Sequence, residues 1–125
     1  NDMGTEEDRI KKELLLKEEQ LLENEVRNDA AKIGDLIDAS CLDCTATGKQ
    51  QTYQPGALFG NVEGVLYIDS NTVRYVDLSE DCKLLVYIAA KVNKNTRMKS
   101  NHSSIWKKRD GKWKMVFHQA TNCSE

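Results

Sequence analysis

The chain has 125 residues, of which 39% are hydrophobic and 30% charged, and a formal net charge of −2. That length fits one domain, spanning 1–125, with a core that holds without disulfide or metal staples. No run approaches the ~20 apolar residues that cross a bilayer, and the mixed charge lacks the basic face of a nucleic-acid binder, so neither membrane nor nucleic acid is expected as a partner.

The opening residues Asn1-Asp2-Met3-Gly4 lead into a charged stretch with no apolar signal core, which points to a cytoplasmic location. Residues 5 to 38 read as helix. Ile10, Leu14, Leu15, Leu22, Val26, Ile33 and Ile37 recur at spacings of three, four and seven and make one apolar stripe. Thr5 is placed to cap the start, and Asp29 to cap a second helix after a break near residue 28 that runs to Ala39. Residues 41 to 47 look like a short strand closed by Gly48, and residues 53 to 64 like a loop with at most one helical turn.

From residue 65 the pattern turns to β. Residues 65–68, 72–78 and 84–92 are rich in β-branched and aromatic side chains, separated by Asp69-Ser70-Asn71 and Ser79-Glu80-Asp81. A further run, 97–107, leads to Asp110-Gly111, the strongest hairpin signal in the chain. With these two as a two-residue loop, Trp106 faces Met115, Ser104 faces Phe117 and His102 faces Gln119. One sheet face then carries Trp113, Met115, Phe117, Gln119, Trp106, Ser104 and His102. Lys107, Ile105, Ser103, Lys114, Val116 and His118 fall on the other. A slip of one residue exchanges the two sets. Helices first and a run of strands after them mean α+β, with the helices packed on one face of a curved, mainly antiparallel sheet.

The basic cluster Lys107, Lys108, Arg109, Lys112 and Lys114 flanks the turn and reads as a solvated hairpin tip. Four cysteines stand at 41, 44, 82 and 123. Cys41 and Cys44 have the CxxC spacing, but no second pair follows to complete four zinc ligands. On a strand their odd separation sends them to opposite faces. Free thiols are the expectation, with no metal and no cofactor.

The segment Ser103-Ser104-Ile105-Trp106, the turn at Asp110-Gly111, and Trp113-Lys114-Met115-Val116-Phe117-His118-Gln119-Ala120-Thr121 resembles the signature of the domain of unknown function 4440 family, within the nuclear transport factor 2-like superfamily. Val26-Arg27-Asn28-Asp29, Leu36-Ile37 and Leu42-Asp43-Cys44 with Gly48 are similar to its first half. The likeness covers nearly the whole chain and is loose from about 50 to 100. It implies a cone whose open end makes a pocket between sheet and helices, and pairing into dimers through the sheet. It carries no agreed activity, and fold alone does not supply one. Against the ketosteroid isomerases of the superfamily, Cys44 aligns where the Asp base belongs, with Asp43 one residue before. The first tyrosine, Tyr53, comes after the helix that should carry the oxyanion donor.

Candidate pocket residues are therefore Asp43, Cys44, His102, Ser104, Trp106, Met115, Phe117 and Gln119. Trp106 and Phe117 form apolar walls, and Gln119, Ser104 and His102 supply polar groups. Asp43, if it faces inward, needs a partner from Arg74, Arg97, His102 or His118. Cys44 is a nucleophile only with a basic neighbour. Ile105, Val116 and His118, on the other face, are expected at a dimer interface. Three functions stay open: a homodimeric domain binding a small apolar ligand, an isomerase, lyase or hydrolase using Asp43 or a histidine, and an association module whose cone is filled by Trp106, Met115 and Phe117.

Overall fold

A computed structural model of the chain describes residues 2–124. Helix α1 spans Asp2–Gln20, so Thr5 lies within its first turn rather than ahead of it. Its buried residues Ile10, Leu14 and Glu18 recur at four, and Leu21, just past its end, continues the stripe facing the sheet. The short α2 (Asn24–Arg27) and α3 (Ala30–Leu36) follow. The helical stretch thus breaks at 21–23 as well as at 28–29. Asp29 caps α3 as expected, its carboxylate accepting from the amides of Ala31 and Lys32.

The second helix was expected to reach Ala39, but it ends at Leu36 and strand β1 runs over Ile37–Cys44. Helical periodicity continues through Ile37, yet that residue pairs with Met115 at the far end of the sequence. Long-range pairing overrides local pattern there. β2 (Gln50–Thr52) is a polar strand that no apolar run announced. The rest are β3 (Val65–Ile68), β4 (Arg74–Ser79), β5 (Cys82–Val92), β6 (Arg97–Arg109) and β7 (Lys112–Asn122). A single 3-10 turn, Ser70–Thr72, precedes β4.

The seven strands form one sheet in the order β2-β1-β7-β6-β5-β3, with β4 also on β5. Every pairing is antiparallel except β1 with β7. The helices cover one face. Leu85, Trp106, Trp113 and Met115 from the sheet pack there against Ile10, Leu14, Ile33 and Leu36.

The β6–β7 hairpin follows the expected register from Arg109↔Lys112 to Trp106↔Met115. Beyond that it shifts. Ile105 pairs with Phe117, Ser104 with His118 and His102 with Ala120. Val116 is left without a partner, a one-residue β-bulge that reverses the facing of every later residue on β7. His118 therefore joins the helix-side face with Ser104 and His102, while Phe117 and Gln119 turn to the outer face with Ile105.

Candidate functional site

Between the helix ends, the sheet and the 53–59 loop lies a cavity of about 580 Å³. Its apolar walls include Leu21, Leu22, Ile37, Leu58, Phe59 and Met115. The loop is tied down from both sides. The Tyr53 amide donates to the Cys41 carbonyl at 2.9 Å, and the Phe59 amide to the Arg27 carbonyl at 2.9 Å. The Arg27 guanidinium returns to the Gly60 carbonyl at 2.8 Å and lies 5.5 Å from the centre of the Phe59 ring.

One wall carries a continuous line of polar side chains. His118 and Asp43 are paired neighbours on β7 and β1, and Nδ1 of His118 stands 2.8 Å from Oδ1 of Asp43. Nε2 of His118 stands 3.0 Å from Nδ1 of His102, and Nε2 of His102 stands 2.8 Å from Oγ of Ser100. Gln51 donates to the second Asp43 oxygen at 3.2 Å. Tyr87 pairs with His102 across β5 and β6, and the two rings stack 5.1 Å apart. Ala120 is the partner of His102 on its other side.

An ionised Asp43 accepts from His118 Nδ1–H. One proton lies between His118 Nε2 and His102 Nδ1 and one between His102 Nε2 and the Ser100 hydroxyl, so every polar atom is used. Burial pushes His102 down to about 4, with His118 adding to the effect and Asp43 opposing it. For Asp43, burial alone would raise its carboxyl. The hydrogen bonds from His118 and Gln51 outweigh that and hold it below the ordinary carboxylate value. The set does not converge on a point: His118 stands between Asp43 and His102, one ring nitrogen toward each. Among the described residues no group of three His, Cys, Asp or Glu side chains is placed to hold a metal ion.

Glu18 reaches the same cavity from α1 and is only 2% exposed. Its oxygens accept from the Tyr87 hydroxyl at 2.7 Å and from Nε1 of Trp106 at 2.8 Å.

Solved structures with the same architecture were found. The association domain of Caenorhabditis elegans CaMKII matches with a TM-score of 0.70 at 17% identity, covering 97% of this chain and 99% of that one. An NTF2-like protein of unknown function from Prochlorococcus matches at 0.67 and 22% identity, covering 92% and 94%. The chain has an NTF2-like fold. A further NTF2-like superfamily protein, from Salmonella enterica, matches at 0.70 and 12% identity, covering 94% of each chain. No protein-family model matches the chain, and no curated protein matches it in sequence.

Within this NTF2-like cone, Asp43, His102 and Met115 line the cavity. Trp106 and Ser104 are fully buried on the same sheet face but belong to the core behind it. Three of the expected pocket residues do not face the cavity. Phe117 and Gln119 are turned out by the Val116 bulge, and Cys44, paired with Gln119, shares their outer face. His118, expected outside, lines the cavity for the same reason. Asp43 finds its partner in His118 rather than in Arg74 or Arg97. Cys41, not Cys44, is the inward thiol, and burial pushes it up to about 12, which makes it unreactive.

Sequence reasoning missed Glu18, Arg27, Gln51, Tyr53 and Tyr87. Glu18 carried a readable signal: it stands four residues after Leu14 and three before Leu21, an acid inside the apolar stripe. Tyr87 falls on the inward parity of β5 with Lys83, Leu85 and Ala89. The polar β2 offered no signal for Gln51.

Proposed function

We propose that this chain is one small-molecule-binding domain, related to the domain of unknown function 4440 branch of the superfamily by its Trp106, Asp110-Gly111 and Trp113-to-Thr121 pattern. Its ligand has an apolar body and occupies the cavity beside Asp43, His118 and His102. The observation that carries this reading is a cavity of about 580 Å³ whose walls are largely apolar and whose polar groups are gathered on one side. A thermal-shift screen of small apolar compounds tests it. A ligand at about 100 times its dissociation constant stabilises the fold by about 2.7 kcal/mol. Leu22→Trp, which fills the space, abolishes the shift while the fold persists. A screen without any shift removes the proposal.

The same domain is proposed to pair with a second copy through its outer sheet face. Leu42, Phe117, Ile105, Leu84 and Val76 are cross-strand partners in succession over β1, β7, β6, β5 and β4. They make one apolar row, of which Leu42 and Val76 are well exposed. Ile105, expected at such an interface, lies in this row, whereas Val116 and His118, also expected there, do not.

Acid–base catalysis is the second reading, favoured by the Asp43–His118 bond. Asp43 has lone pairs left to take a ligand proton, and His118 holds its carboxylate in position. Exchange of an acidic ligand hydrogen in heavy water, followed by NMR and lost in Asp43→Asn, separates catalysis from binding.

A further inference from the structure

We propose that the ligand of this cavity carries a hydroxyl group on its apolar body and donates that hydrogen to Asp43. This rests on the small-molecule reading above and narrows it to a class of ligand.

The polar wall has no ring N–H to spare. His118 and His102 have four ring nitrogens between them, and all are engaged: one on Asp43, two on each other and one on Ser100. That holds whichever atom of each contact carries the proton, and whether His118 is neutral or charged. A charged His118 donates from both nitrogens, but both already face partners inside the line. On the loop side, Arg27 directs its nitrogens to the main-chain carbonyls of Gly60, Leu21 and Phe59, at 2.8, 3.3 and 3.4 Å.

Acceptors, by contrast, are left over. A carboxylate has about four lone-pair sites. Asp43 uses one on each oxygen, for His118 at 2.8 Å and Gln51 at 3.2 Å. Its side chain is 32% exposed and lines the cavity, so the remaining sites are open to a ligand. They stay acceptors, because the same two bonds hold the carboxyl below its ordinary value. A charge on His118 would hold it there more firmly. Gln51 turns its amide nitrogen to Asp43 and keeps one N–H, matched by its own carbonyl oxygen. A ketone or an ether would set its lone pairs against those of Asp43. A hydroxyl turns its hydrogen to them, in a bond strengthened by the charge of the acceptor. The apolar walls take the rest of the molecule.

An NMR titration of the full chain near neutral pH, with cyclooctanol and cyclooctanone, tests this. The two share a ring and differ in the donor. The alcohol is expected to bind roughly tenfold tighter than the ketone. Asp43→Asn removes the charge and puts an N–H beside the remaining oxygen. It should bring the two affinities within about threefold of each other. Should Asp43→Asn fail to fold by circular dichroism, the ratio in the unsubstituted protein decides alone. Ketone binding as tight as that of the alcohol overturns the inference and leaves the small-molecule reading standing. So does an alcohol preference that Asp43→Asn leaves intact. Binding by neither compound removes both.

Discussion

Glu18 joins the core to the cavity, because the two donors it satisfies, Tyr87 and Trp106, are themselves buried. Replacing it with leucine keeps an apolar stripe on α1 but orphans both donors. Each buried donor left without a partner costs about 1–3 kcal/mol, so Glu18→Leu should lower unfolding stability by about 2 kcal/mol or more in a urea titration. His102 gives a pH signature with a definite sign. Its folded pKa, about 4, lies below the ordinary histidine value of 6.5. The unfolded chain then binds a proton that the folded chain refuses, so the contribution is present above pH ~6.5 and lost as pH falls toward ~4. The melting temperature should drop across that window, and His102→Phe should flatten the drop. A profile that is flat in the unsubstituted protein would contradict the buried neutral assignment. Asp43, held below its usual value, adds a further loss only at more acidic pH.

Most elements were legible because their signals are local. Asp29 before an apolar turn, Asp110-Gly111 between strand-like runs and the alternation on β5 are each decided by neighbouring residues. What escaped was decided at a distance. Ile37 looks helical until Met115 is available to pair with it, and β2 is polar because it takes its place from β1. The bulge at Val116 had the largest consequence for the site, since one unopposed residue exchanged His118 for Phe117 and Gln119. No residue type marks it, because Val116 is as good a strand former paired as unpaired. At the junction of β3 with its loop, Gly64 has φ +75, a backbone that other residues rarely adopt. A Cβ there would fall on the Val92 carbonyl and the Asn93 side chain. Gly64→Ala should therefore cost at least about 1–3 kcal/mol from backbone strain, with the clash added, measurable as a lowered melting temperature.

At the scale of the molecule, the sheet separates two roles by face. The helix side holds the core and the cavity. The outer side presents the apolar row from Leu42 to Val76. On the proposed pairing, Phe117→Glu should halve the mass seen by sedimentation equilibrium while leaving circular dichroism unchanged. An unsubstituted chain that sediments as a monomer at all accessible concentrations would sink the pairing. The fold was readable as a whole from the order of helices and strands, and the split between faces was not, because it turns on the register of one hairpin.

The parallel contact of β1 with β7 has a consequence for the growing chain. β1 and the helices before it leave the ribosome some seventy residues ahead of the strand that will flank them. Until β7 emerges, Ile37 has no neighbour on that side, and α1 and α3 have only part of the surface they are shaped to cover. The hairpin of β6 and β7 is therefore the keystone, set last, and the half-built arch waits for it with apolar surface open to any factor that tends nascent chains.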